Sequence, residues 1–375
     1  MELPVLTDEW IVTNCEFVNL RKTANFSAQS LAKVYSGSKV KLLEWNGRFA
    51  KVKYNGKTGY ILGNYLAPDD GAYLRAALDT VTVTDVYTYD EMMEDLIAFD
   101  LKYPELVELE IIGQSYLGVD IPVIRLGNTN ADKHVMLQGG IHGREHATTW
   151  LLMALIDFWL DQDPTSYADV CFHIIPMVNP DGIAISQTGK LPASLQAVYQ
   201  SDLKNGYTTL SQKEYAEQWK ANGRGVDLNR NFAADWASIT QRTGPSSEQY
   251  RGTAPFSEPE TQMLRDYTHR YDFDATLSYH ATGSIIYYEY GKDKKVNALS
   301  ESLGKAVYQV TGYFLVGNEG VDCAGYKDWA IDVEKIPSLT VEIGSQGVPL
   351  KSRELYALFM RNRDVFAAVA QWVTR

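Results

Sequence analysis

The tightest constraint in this chain is a strand-to-helix handover. An apolar run, Val135-Met136-Leu137, enters Gly139-Gly140-Ile141-His142-Gly143-Arg144-Glu145-His146, and an apolar helical pattern from about Thr148 to Leu160 leaves it. Polar, glycine-rich sequence between two apolar elements places a His and a Glu at the mouth of the turn. The pattern recurs from about residue 80 onward. A helix is predicted over roughly 89–103. Strands are predicted near 107–112, 121–126, 135–138, 171–176, 275–279, 285–290 and 339–343, with a loop-rich stretch over 181–255 and a long amphipathic helix over 353–373. Buried apolar strands alternating with helices predict an α/β fold, a mostly parallel sheet covered on both faces. Ligands of such sheets gather beyond the carboxyl ends of the strands.

Neutral imidazole and ionised carboxylate are good zinc ligands, and a divalent ion can activate water at neutral pH. The handover is open to three readings. His142 and Glu145 can bind a metal together with a second, distant His, another carboxylate being the base. His142 and His146 can instead bind it from one helical face, at i and i+4, with Glu145 as base. Or the three polar residues simply cap the helix, Glu145 being favoured near its positive end.

The first part of the chain reads differently. Val18-Asn19-Leu20-Arg21 alternates, Lys39 to Leu43 is strand-like, and Phe49 to Tyr54 alternates with period two. Asn55-Gly56 supplies a tight hairpin turn, and Thr58 to Leu62 returns. Charge separates the two parts. Residues 1–70 carry nine Lys and Arg against seven Asp and Glu, whereas the remainder carries 26 against 40. The 375 residues therefore divide into a domain at 1–70, a linker at 71–84 around the polar break Pro68-Asp69-Asp70-Gly71, and a large domain at 85–375. The net charge of −12 argues against duplex nucleic acid as a partner. No apolar run reaches the length of a membrane span. Cys15, Cys171 and Cys323 are too few and too scattered for a disulfide framework, and Cys171, within an apolar run, reads as a buried free thiol. Met1-Glu2-Leu3-Pro4 lacks the basic and apolar regions of a secretory signal, and nothing in the sequence sets an oligomeric state.

Residues 10–66 resemble the bacterial SH3-like domain, a small all-β barrel, through Val18-Asn19-Leu20-Arg21, Trp45 ahead of Phe49-Ala50-Lys51-Val52, and the closing Gly59-Tyr60-Ile61. Such domains often bind cell-wall peptides. Four motifs follow the handover: Asn179-Pro180-Asp181-Gly182, Asp227-Leu228-Asn229-Arg230-Asn231, the strand-end His280 and the strand-end Glu342. In that order they make residues 85–375 resemble the zinc carboxypeptidase (M14) family of metallopeptidases. The resemblance implies a mixed eight-stranded sheet sandwiched by helices. It assigns one Zn2+ to His142, Glu145 and His280, with water in the fourth place and Glu342 as general base and acid, and it leaves His146 as a helix residue. Asn229 and Arg230 match the pair that grips a substrate carboxylate, and guanidinium suits that task. Arg144 matches another substrate-binding arginine.

Two departures stand out. No Arg soon follows Asn179-Pro180-Asp181-Gly182. Trp219-Lys220 is the nearest echo of the oxyanion-stabilising residue, with Arg224 close behind, so Lys220 is the candidate. The tyrosine that closes over a bound carboxyl terminus falls by count at Gly320, flanked by Tyr313 and Tyr326, which weakens the case for ordinary carboxyl-terminal trimming.

An SH3-like module beside this catalytic type implies work on the bacterial cell wall. The expected substrate is a peptidoglycan stem peptide, cut at the γ-D-glutamyl to diamino acid bond. The expected location is outside the cell or in the wall, with cytoplasmic recycling as the other setting. The alternatives are a conventional zinc carboxypeptidase acting on peptides and a wall-binding protein with a vestigial catalytic domain.

Overall fold

The computed structural model of the chain describes residues 9–12, 15, 17–35, 38–45, 48–68, 78–84, 86–161, 169–317, 323–344 and 347–375. Seven short strands form the first sheet: β1 (Glu9–Val12), β2 (Phe17–Arg21), β3 (Ser30–Tyr35), β4 (Lys39–Trp45), β5 (Phe49–Tyr54), β6 (Lys57–Leu62) and β7 (Leu66–Pro68). They pair antiparallel throughout, in the order β3-β2-β6-β5-β4-β1-β7. The β5–β6 hairpin turns at Asn55 (φ 45°) and Gly56 (φ 76°), the left-handed pair that a two-residue turn requires. Trp10, Leu20, Val34, Val52 and Ile61 fill the core. The Trp10 ring meets Tyr356 of the large domain at 4.4 Å. The Arg48 guanidinium lies 4.4 Å from the Phe26 ring and 4.8 Å from that of Phe314. The small domain is thus seated on the large one. Of the linker expected at 71–84, residues 71–77 lie outside the described residues, while the amides of Thr80 and Val81 donate to Asp157 at 2.8 Å each.

The second sheet has eight strands: β8 (Val107–Gln114), β9 (Asp120–Gly127), β10 (Lys133–Gln138), β11 (Val170–Ile175), β12 (Phe273–Ala281), β13 (Ile285–Tyr287), β14 (Phe314–Val316) and β15 (Ser338–Ile343). Their order is β14-β13-β15-β12-β10-β11-β9-β8. The four central strands, β15, β12, β10 and β11, run parallel, and antiparallel pairing at β9 and β13 makes the sheet mixed. Alternate residues of β10 serve opposite faces. Val135 and Leu137 join a core with helices α1 (Tyr89–Lys102) and α2 (Ala147–Leu160), whereas Met136 packs with Leu264, Tyr267, Tyr326 and Trp329. Both faces are covered, so β11 is buried at every position.

Two segments differ from the sequence-based expectation. The stretch 181–255 holds helices, among them α3 (Pro180–Thr188), and not only loops. After α4 (Lys294–Thr311), the last long helix is broken into α5 (Ser352–Asn362) and α6 (Val365–Val373). Asn362 donates to the Tyr313 hydroxyl and back to the Leu358 carbonyl, each at 2.8 Å. A polar side chain bonding within its own helix promotes such a break.

Candidate active site

Beyond β10 the backbone stays extended at His142 (φ −105°, ψ 131°), makes one tight turn over Gly143–Glu145, and enters α2 at Ala147. His142 therefore stands outside the helix, and His142 and His146 share no helical face. That removes the i, i+4 metal reading. His146 is buried, and burial, then Lys351, lowers its pKa to about 4.

Hydrogen bonds fix the turn. The Thr148 hydroxyl accepts from the Gly140 amide and donates to the Glu145 carbonyl, both at 2.8 Å. Asn179 explains its own motif. Its Oδ1 accepts from Gly182 at 2.9 Å to cap α3, and its Nδ2 donates to the carbonyls of Ile141 and Ala221 at 3.1 and 3.0 Å. One side chain thus joins α3, the metal turn and the loop carrying Lys220. Gly143 must lack a side chain, because a Cβ there would run into the Gly182 carbonyl oxygen.

His280 ends β12, the immediate neighbour of β10, and Glu342 ends β15, pairing in register with His280. Three adjacent parallel strands therefore deliver His142, His280 and Glu342 to one edge. The His142 Nδ1 lies 2.8 Å from Glu145 Oε1 and 3.2 Å from His280 Nδ1, and the latter lies 3.0 Å from Glu145 Oε2. His142, Glu145 and His280 are all buried.

This donor set suits a cation. On the far side of its ring, His142 Nε2 sits 3.2 Å from Asp227 Oδ1, a partner that assigns the proton to Nε2. The Nδ1 lone pair then faces a carboxylate and a second imidazole nitrogen, an arrangement that needs positive charge between them. Zinc bonds of about 2.0–2.1 Å place donors at roughly this separation. Burial pushes the Glu145 carboxyl up, but the imidazoles of His142 and His280 outweigh it and hold the group below the usual carboxylate range. For Asp227 too burial raises, and Lys220, His142 and Arg230 more than offset it. Sequence spacing alone gives Asp227 no role. Its only signal is its place as the first residue of Asp227-Leu228-Asn229-Arg230-Asn231.

A cavity of about 250 Å³ opens from the histidines, and its lining includes Arg144, Lys220, Asn229, Arg230 and Glu342. His142, Glu145, His280, Glu342, Arg144, Lys220, Asn229 and Arg230 thus share one space, whereas His146, Arg224, Tyr313 and Tyr326 lie outside it. Lys220 is buried there with its Nζ 3.2 Å from Asp227 Oδ2. Arg224 instead pairs with Glu258 at 2.6 Å. Arg144 pairs with Glu248 at 3.2 Å, and Arg230 donates to Gln249 at 3.2 Å. Tyr313 and Tyr326 are fully buried, bonded to Asn362 and Thr268, so neither is placed to close over a substrate; Gly320 lies outside the described residues. Tyr287, Glu289, Tyr290, Lys327 and Asp328 complete the lining; of these, sequence reasoning reaches only Asp328, through the Asp328-Trp329 pair of the resemblance, and Glu289, as a second candidate base.

An α/β sandwich presenting two imidazoles and two carboxylates at neighbouring strand ends defines a metal-dependent hydrolase. Comparison with known proteins agrees. Residues 92–361 match the zinc carboxypeptidase family model, and residues 16–67 match the bacterial SH3 domain model. The chain is 30% identical over 297 residues to gamma-D-glutamyl-L-diamino acid endopeptidase 1 of Lysinibacillus sphaericus, covering 75% of this chain and 72% of that one. It is 28% identical to carboxypeptidase B of Astacus astacus over 56% of this chain and 65% of that one. In fold it is similar to thrombin-activatable fibrinolysis inhibitor (TM-score 0.61, 19% identity, 84% and 90% coverage). The chain belongs to the zinc carboxypeptidase family: it is a zinc metallopeptidase with an amino-terminal bacterial SH3 domain.

Proposed function

We propose that this peptidase cleaves bacterial cell-wall stem peptides at the γ-D-glutamyl to diamino acid bond, with one zinc ion held by His142, Glu145 and His280. The observation that carries the reading is the convergence of those three donors, within 3.2 Å of one another, beside Glu342 and a cavity carrying Arg144, Lys220 and Arg230. The wall substrate is supported by the SH3 domain and by the Lysinibacillus relative. We place its action outside the cell or in the wall.

Zinc, when bound, supplies a Lewis acid for the scissile carbonyl and makes water nucleophilic near neutral pH. Glu342 takes the proton that water sheds and passes it to the leaving amine. Lys220 offers positive charge where the carbonyl oxygen becomes anionic, and Asp227 holds both Lys220 and His142 in place. Arg230, beside Asn229, holds a substrate carboxylate, the guanidinium fork matching its two oxygens.

Conventional carboxypeptidase action is the second reading, favoured by the Astacus relative and by the same carboxylate clamp. Defined muropeptides analysed by mass spectrometry separate the two. Release of L-Ala-γ-D-Glu is the expected product. Loss of a single terminal residue instead would transfer the function to the carboxypeptidase class, and complete inertness would leave only wall binding.

A further inference from the structure

Behind the active site lies a buried cation that the chemistry above does not use. Arg361, near the end of α5, is only 3% exposed. Burial lowers its pKa to about 10, Tyr313 countering and Arg48 adding to the effect, so the group is still charged at neutral pH. A cation this deep ordinarily faces a carboxylate. Arg361 instead donates from Nε to the Thr311 carbonyl at 2.8 Å and from Nη1 to the Ser284 hydroxyl at 3.3 Å, and its guanidinium lies 4.2 Å from the Tyr313 ring. Thr311 ends α4, and Ser284 lies in the turn between β12 and β13. That turn leaves β12 just after His280 and enters β13 at Ile285, which pairs in register with Glu342. Ser284 has a φ of 53°, a left-handed conformation that a residue with a side chain keeps only where its surroundings impose it. Its hydroxyl donates to the Gly344 carbonyl at 2.8 Å, two residues past Glu342, and the Gly283 amide donates to the same oxygen at 3.1 Å. Its own carbonyl accepts from the Phe314 amide at 2.8 Å. One residue thus ties the ends of β12 and β15 to the start of β14. The approach to β14 is held in turn by the SH3 domain, since a Cβ on Gly312 would run into the Arg48 side chain.

We propose that Arg361 is a positioning residue for the reaction: by fixing the Ser284 hydroxyl it holds the turn that sets Glu342 against the metal ligands. The inference rests on Glu342 as the base and is independent of which peptide bond is cut. A general base works only within hydrogen-bond reach of its proton, and a displacement of about 1 Å can cost about 100-fold in rate. Gly344, with a φ of 72°, adds no stiffness of its own, so the bonds from Gly283 and Ser284 set where the end of β15 lies. A hydroxyl has one hydrogen to give. Donation from Arg361 to the Ser284 oxygen leaves that hydrogen for Gly344. The Thr311 carbonyl, at the end of a helix, fixes the other edge of the guanidinium. Two donors in one rigid plane are needed to span Thr311 and Ser284, which an ammonium on a flexible stem does not supply.

Arg361→Leu and Ser284→Gly test this in the zinc-loaded full chain. Leucine removes the donors and keeps an apolar body, and glycine removes the hydroxyl and keeps the left-handed turn. The substrates are L-Ala-γ-D-Glu-L-Lys and, for conventional trimming, benzoyl-Gly-L-Lys. Rates are counted per bound zinc, which removes any unfolded fraction. Both variants should keep zinc near one per chain and a KM within about threefold of the unmodified protein's, while kcat falls about 10- to 100-fold on whichever peptide is cut. Arg361→Lys should recover part of the loss. Adding Arg361→Leu to Glu342→Gln should lower kcat no further, because the place of a base is immaterial once the base is gone. An unchanged kcat in either variant, a loss confined to KM, or a loss that persists in full on the Glu342→Gln background overturns the proposal. If Arg361→Leu does not fold, Ser284→Gly decides alone. Full activity of Glu342→Gln itself overturns the base assignment and this inference with it. An inert Glu342→Gln beside fully active Arg361→Leu and Ser284→Gly overturns this inference only.

Discussion

Among the described residues, the central sheet carries two clusters of potential metal donors, one past the carboxyl ends of its parallel strands and one toward their amino ends. Past the carboxyl ends stand His142, Glu145 and His280. Toward the amino ends stand His134, Cys171 and His173, whose donor atoms also lie within 4.8 Å of one another. They differ in what surrounds the donors. The first cluster includes a carboxylate, is held from behind by Asp227 and opens into a cavity. In the second, His134 Nδ1 lies 2.9 Å from His173 Nε2, and His173 Nδ1 lies 2.7 Å from the Tyr267 hydroxyl. The rings of Tyr271 and Phe273 pack on His173. Burial, then the neighbouring His134, brings the His173 pKa down to about 3, and burial pushes the Cys171 thiol up to about 12. Neutral groups satisfied by one another are a packed polar core. Close spacing of donors does not make a metal centre. A catalytic centre also needs a partner orienting the imidazole and a position open to substrate.

The largest effect that could break this contrast lies beside the first cluster. Glu342→Gln should keep zinc near one per chain and lose roughly 10²- to 10⁴-fold in kcat. Substantial remaining activity would move the base elsewhere, with Glu289 the next carboxylate on the cavity. Behind the metal, Asp227→Asn should weaken zinc binding about 10- to 100-fold, read by competition with a chelator. Unchanged affinity would mean that Asp227 does not orient His142.

The second cluster should register in acid stability. The folded pKa of His173 lies below its unfolded value, so the unfolded state takes up the proton first. The stabilisation is present above the unfolded value of about 6.5 and is lost as pH falls toward about 3. Between pH 7 and pH 5 it should cost on the order of 2 kcal/mol. Thermal melts of His173→Gln should show a shallower decline over that range, and a decline as steep as the unmodified protein's would remove His173 as the cause.

Much of the first cluster was legible because chemistry at strand ends leaves a local trace. A His or Glu closing an apolar run, as at Leu277-Ser278-Tyr279-His280 and Leu339-Thr340-Val341-Glu342, stands out against its strand. The Asn55-Gly56 hairpin was legible because few residues adopt its backbone angles. The second cluster left no comparable mark, since His134 and His173 meet only once β10 and β11 have paired, and Tyr267 joins them only when the helix Pro259–Thr268 packs on the sheet. The helices between 180 and 217 were hidden by glycine and polar residues that read as loop. The cavity wall at Lys327 and Asp328 was hidden for another reason. Lys327 and Asp328 form a short charged pair in sequence, and only the packing of 325–328 against Asn229 and Glu289 turns them inward. Lys220 lies between these cases, since its charge is plain in the sequence but its bond to Asp227 is not.

Elemental analysis of three purified proteins tests the central claim most directly. One zinc per chain is expected in the unmodified protein, one in a Cys171→Ala, His173→Gln double variant, and close to none in His280→Ala. Full zinc in His280→Ala, or its loss from the double variant while that protein remains folded, would contradict the assignment of the metal to the carboxyl ends of the strands.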